Sequence, residues 1–80
     1  MDKYRRAKIL DAVDRLGEAT ADDVRKLLGG ELSKSLVWTL MRNYWHRSLL
    51  RRRKGMGKYV YTLTDRGRQR LKYYRRIGVV

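Results

Sequence analysis

The side chains in this sequence with the capacity for specific chemistry are mostly bases, and they are unevenly placed. Residues 33–80 carry fourteen Lys and Arg against one acid, Asp65, whereas residues 1–32 hold seven bases and seven acids. Two groups stand out. Set at 100° intervals, Ser35, Trp38, Thr39, Arg42 and His46 share one arc of a helix, with Lys34 and Trp45 at its margin. Next comes RRRKGMGK, in which Arg51, Arg52, Arg53 and Lys54 precede a Gly-Met-Gly turn and Lys58 follows it. A guanidinium fork bonds a guanine edge or a phosphate through two parallel contacts, a hydroxyl bonds either, and an ammonium is a point charge for phosphate. That is equipment for holding a polyanion.

Equipment for transforming a substrate is missing. There is no cysteine and only one histidine, so neither a thiolate zinc site nor a histidine cage is expected. No nucleophile stands beside a base, no carboxylates pair at a telling spacing, and Gly55-Met56-Gly57 is too short for a phosphate loop and lacks the Lys-Ser/Thr that would follow. Catalysis, metal and cofactor are therefore not expected, and no small-molecule ligand is evident.

The formal charge of +13 over 80 residues belongs entirely to the second stretch. One-sided charge of this kind costs stability by self-repulsion and raises the potential over one part of a surface, which favours an anionic polymer as partner. A heat-adapted surface would interleave both signs, but residues 33–80 have almost nothing to pair with. Many Arg with no Cys, Pro or Phe still hint at a hot-living archaeal or viral source. The length allows one domain, residues 1–80, and 42% apolar residues is too many for a disordered basic tail. No apolar run approaches the length of a membrane span and MDKYRRAKIL has no signal-like core. A soluble protein of the cytoplasm is expected, at the nucleoid or, for a viral protein, in the host.

Periodicity supplies the elements that must position these bases. Ile9, Leu10, Val13 and Leu16 predict a helix over 3–16 with Asp2 as a possible cap, stopped by Gly17. Residues 18–20 are short and extended. Thr20 with Asp23 forms a capping-box pattern for a helix over 21–28, with Ala21, Val24, Leu27 and Leu28 as its stripe and Gly29-Gly30 after it. Ser33 caps a third helix to about Arg47, whose Leu36, Val37, Leu40, Met41 and Tyr44 face the core. The alternating YVYTL at 59–63 pairs with the basic run in a hairpin over 50–63. Thr64 caps a last helix over 65–77 with Leu71, Tyr74 and Ile77 in line.

This order, with SKSLVWTLMRNYWHRSLLRRRKGMGKYVYTLTDRGRQRL, resembles the winged helix-turn-helix domains of prokaryotic transcription regulators, such as the MarR-like and PadR-like groups and small archaeal relatives, over roughly residues 5–76. Val37, Met41, Tyr44 and Leu49 fall where those domains place core residues of the recognition helix and the first wing residue. RRRKGMGKYVYTLT looks like their wing, and YTLTDRGRQRL like the passage into a C-terminal helix with a Gly on its first turn. Ser48 stands where the group commonly has Gly. The resemblance implies an α+β, mainly α fold: a three-helix core, a two-stranded β wing and a C-terminal helix.

It also implies sequence-selective binding of double-stranded DNA in transcription control, with helix 33–47 in the major groove and the wing on backbone and minor groove. The expected contacts are Lys34, Ser35, Trp38, Thr39, Arg42 and His46 on the helix, and Arg51, Arg53, Lys54 and Lys58 on the wing, with Arg53, Lys54 and Lys58 favoured as nearest the tip. Alternation along a strand sends Arg52 to the face opposite Arg51 and Arg53. Covering the rim of a small core is an equal reading for Trp38 and the better one for Trp45, and a solvated helix end with no task is the better reading for His46. A homodimer is expected through Tyr4, Ile9, Leu71, Tyr74 and Ile77, with Val79-Val80 beside them. The alternative is an RNA- or ribosome-associated winged helix, or a non-specific architectural protein, in which Tyr59, Tyr61, Tyr73 and Tyr74 would stack on bases.

Overall fold

Hydroxyl side chains open three helices of the chain, in a computed structural model that describes residues 2–80 and, of Asp2, the backbone only. The Thr20 hydroxyl accepts from the Asp23 amide at 3.2 Å while the Asp23 carboxylate accepts from the Thr20 amide at 3.0 Å. This reciprocal cap starts α2 (Ala21–Leu27). Ser33 accepts from the Leu36 amide at 3.1 Å and starts α3 (Lys34–His46). Thr64 accepts from the Gly67 amide at 3.0 Å and starts α4 (Asp65–Arg76). The first helix, α1 (Asp2–Leu16), already includes the backbone of Asp2, whose side chain, expected as a cap, lies outside the described residues.

The wing consists of β1 (Leu50–Gly55) and β2 (Lys58–Leu63), antiparallel, with Leu50 opposite Leu63, Arg52 opposite Tyr61 and Lys54 opposite Tyr59. Its turn is the pair Met56-Gly57, at φ 51° and 79°, the left-handed pair whose twist suits a two-residue hairpin. The extended stretch around Ala19 adds a third strand position: Ala19 and Tyr61 exchange both backbone hydrogen bonds, at 3.0 and 2.8 Å. One wing face thus becomes part of the core, with Leu50, Tyr61 and Leu63 buried in the same cluster as Ile9, Val13 and Met41.

Which apolar residues enter the core departs from the periodic stripes at the ends of elements. Leu16 and Leu27, each the last residue of its helix, are 41% and 44% exposed. Leu36, Leu40 and Leu28 are half-buried. The larger correction concerns the expected dimer surface. Ile9, Leu71 and Tyr74 are buried to 2% exposure or less, since α1 packs on α4 and the two stripes cover one another inside one chain. The Arg75 guanidinium ties the pair together, donating to Asp11 at 2.7 Å and Asp14 at 2.9 Å, and these bonds hold it above its ordinary pKa.

The corner between α3 and the wing is held by an unusual residue. Ser48 lies at φ 62°, a left-handed conformation that costs a residue with a Cβ about 1–2 kcal/mol. It is kept there by backbone bonds: its amide donates to Trp45 and its carbonyl accepts from the Thr64 hydroxyl at 2.6 Å. Ser48→Gly should therefore stabilise the fold by about 0.5–1 kcal/mol once the greater freedom of glycine in the unfolded chain is counted. Chemical denaturation with an unchanged or lower midpoint would contradict this.

Candidate nucleic-acid interface

Four-residue spacing along α3 gives it a core edge, where Val37, Met41 and Tyr44 are buried, and an outer edge, where Lys34, Ser35, Trp38, Thr39, Arg42 and His46 are all exposed. On that outer edge the Arg42 guanidinium lies 5.4 Å from the centre of the Trp38 ring, one turn away. Cation–π attraction and the bulk of the indole limit the rotamers of Arg42, so part of the cost of ordering this side chain is met in the free protein. Trp38 is 43% exposed, consistent with an outward role. Trp45 is half-buried and packs against the core, as its rim reading requires, and His46 lies against it with ring centres 4.6 Å apart.

Between α3 and the wing lies a groove of about 290 Å³, lined by Thr20, Ala21 and Asp22 at the start of α2, Lys34 and Trp38 on α3, and Lys54, Gly57, Lys58, Tyr59 and Tyr61 on the wing. The structure therefore brings Lys34 and Trp38 together with Lys54 and Lys58. The groove's acid, Asp22, is answered from its own helix: Arg25 and then Lys26 hydrogen-bond its carboxylate and hold it below its ordinary pKa. Among the described residues, Lys34, Arg42, Lys54 and Lys58 have no carboxylate within ion-pair distance. The groove is accordingly a site of net positive potential.

Arg51 and Arg53 do not join it. Strand alternation places them on the far face of the wing, along a depression of about 100 Å³ lined also by Arg52, Val60 and Thr62. There Arg53 pairs with Glu18 at 3.2 Å. Both partners are more than half exposed, so the pair is weak and a phosphate can displace the carboxylate. Arg53, Lys54 and Lys58 lie nearest the tip, but Arg53 and Lys54 are on opposite faces of the wing.

Residues outside the expected contact set also line the groove. Thr20, Ala21 and Asp22 reach the groove only because α2 folds back against α3, and Tyr59 does so as the wing's inner wall. Tyr59, expected only as a stacking residue of the alternative reading, alternates with the buried Tyr61 and so shares its inner face. Asn43 is exposed beside the outer edge of α3 and was missed because it lies just off the arc. Tyr61 and Tyr74 are buried, which removes two of the four proposed stacking tyrosines. No group of His, Cys, Asp or Glu among the described residues could hold a metal ion.

The family model of the penicillinase repressor matches residues 5–72. Three solved structures resemble the fold. One, from a study of how 6-hydroxynicotinic acid regulates DNA binding by BpsR of Bordetella bronchiseptica, superposes with a TM-score of 0.75 at 23% identity, over 86% of this chain and 50% of that one. The oxidised form of MarR from E. coli gives 0.79 at 12% identity, over 91% and 52%. TubR of type III plasmid segregation gives 0.72 at 15% identity, over 94% and 74%. The chain spans about half the length of the first two. A sequence comparison with curated proteins finds no match.

Proposed function

Because the chain belongs to the penicillinase repressor family, we propose that it is a sequence-selective double-stranded DNA-binding protein that regulates transcription. It is a winged-helix regulator and not an enzyme, as that family is one of repressors. In this reading α3 enters the major groove, the Lys34, Lys54 and Lys58 ammonium groups take phosphates on either side, and the wing follows the backbone toward the minor groove. The observation that carries it is the groove between α3 and the wing, where exposed cations from both elements converge without carboxylate partners.

Arg42, poised against Trp38, is the residue we assign to a guanine edge, with Ser35 and Thr39 beside it bonding bases or phosphates. Arg42→Ala should cost about 1–3 kcal/mol on the preferred duplex and much less on unrelated duplexes. Selection from a random duplex pool, followed by titration of the best sequence with both proteins, measures this. Equal losses on all sequences would remove Arg42 from base reading, and failure of the pool to converge would favour an architectural role.

We further read the chain as a homodimer. With Ile9, Leu71 and Tyr74 committed to the core, Tyr4 and Ile77 remain from the expected surface, 52% and 45% exposed, and Tyr73 and Val80 add apolar area at the end of α4. A twofold dimer would prefer half-sites about 34 Å apart, one turn of duplex. No helix among the described residues is long and apolar enough to cross a membrane, and the reading places the protein on DNA in the cytoplasm.

A further inference from the structure

The four bases of the run 51–54 differ sharply in their surroundings: Arg51, Arg53 and Lys54 are exposed, whereas Arg52 is half-buried. Its guanidinium carbon lies 3.6 Å from the centre of the Trp45 ring and 3.9 Å from that of Tyr59. A guanidinium Nη1 also donates to the Tyr61 hydroxyl at 3.5 Å. The rings come from two elements, Trp45 from the last turn of α3 and Tyr59 from β2, while Arg52 itself is on β1. A planar, weakly hydrated cation presents flat faces on which rings can stack, and here two aromatic rings lie within 4 Å of it. An ammonium has no such faces. Arg52 has no carboxylate partner among the described residues, so these rings and the Tyr61 hydroxyl account for its position.

We infer that Arg52 is a positioning residue that clamps the wing to the recognition helix, and that its effect on DNA binding comes from its planar contact with the two rings and not from a charge offered to phosphate. This rests on the DNA-binding reading above. The covalent link across the same corner is short, Arg47-Ser48-Leu49, and the clamp braces it from the side chains. With α3 seated in a groove, the angle of the wing decides which phosphates Lys54 and Lys58 reach. A wing free to swing must be ordered at binding, and affinity falls accordingly.

Arg52→Lys separates shape from charge. If the clamp operates, amide exchange of β1 and β2 in the free protein rises by about tenfold, and duplex affinity falls by a similar factor while the salt slope stays that of the parent. Arg52→Gln then matches Arg52→Lys in both respects. Arg51→Gln, on the outer face, should leave wing exchange unchanged. Tyr59→Leu, which removes one ring, should shift exchange and affinity in the same direction by about threefold, and it carries the test if circular dichroism shows Arg52→Lys unfolded. Parental exchange and affinity in Arg52→Lys, with a slope shallower by about 0.9 in Arg52→Gln, would make Arg52 an ordinary phosphate contact and overturn the inference. Should the parent bind no duplex, the DNA-binding reading fails by itself, and exchange in the free protein still decides whether the clamp exists.

Discussion

Gly67→Ala is expected to lose about 3 kcal/mol or more, the upper end of what over-packing costs. A Cβ at Gly67 would lie well inside contact distance of the Leu49 carbonyl oxygen, 3.1 Å from its carbon and 3.2 Å from a Leu63 methyl. None of these atoms can yield cheaply. The Leu49 carbonyl accepts from the Thr64 amide at 3.2 Å and its amide donates to Tyr44 at 2.9 Å. Leu49 and Leu63 are both buried, so retreat would open the seam between α3, the wing and α4. A domain of 80 residues has about 4–12 kcal/mol of stability in total, and 3 kcal/mol is about 12–24 °C in Tm. Thermal unfolding followed by circular dichroism tests this directly, and a Tm within a degree or two of the parent would show that the close approach does not exist.

Salt should weaken duplex binding steeply. If each chain neutralises about four phosphates, log K falls with log salt at a slope near −3.6, and a dimer doubles it. From 50 to 200 mM that is a loss on the order of 10²-fold for a monomer and 10⁴-fold for a dimer. The groove supplies Lys34, Lys54 and Lys58, and Arg51 or a displaced Arg53 adds a contact from the outer face. Lys54→Gln should then shallow the slope by about 0.9 per chain and weaken all duplexes alike, unlike Arg42→Ala. Affinity that stays flat over this range would mean that the cationic surface does not meet phosphates at all.

Much of this arrangement is legible residue by residue. Thr20, Ser33 and Thr64 announced their helices because a cap depends on atoms three residues away. Gly-Met-Gly between two extended runs marked the wing because hairpin turns have local chemistry, although Gly55 proved to end β1 and the turn is Met56-Gly57. The exposed edge of α3 followed from helical period alone. Ser48 shows where such reading stops: it was noted as a departure from glycine, but its left-handed backbone follows from bonds to Trp45 and Thr64, one of them sixteen positions away.

Local pattern and composition therefore determined the elements, their order, the outer edge of α3 and the cationic bias of the second stretch, since each depends on neighbours a few positions apart. Tertiary structure alone decided how those residues are spent. It turned Ile9, Leu71 and Tyr74 inward by laying α4 on α1, bound Arg53 to Glu18 and Arg75 to Asp11, and set Arg52 against Trp45 and Tyr59. Those contacts join positions up to 64 apart, and a side chain's availability depends on what the folded chain has already placed against it, which no spacing of a few residues encodes.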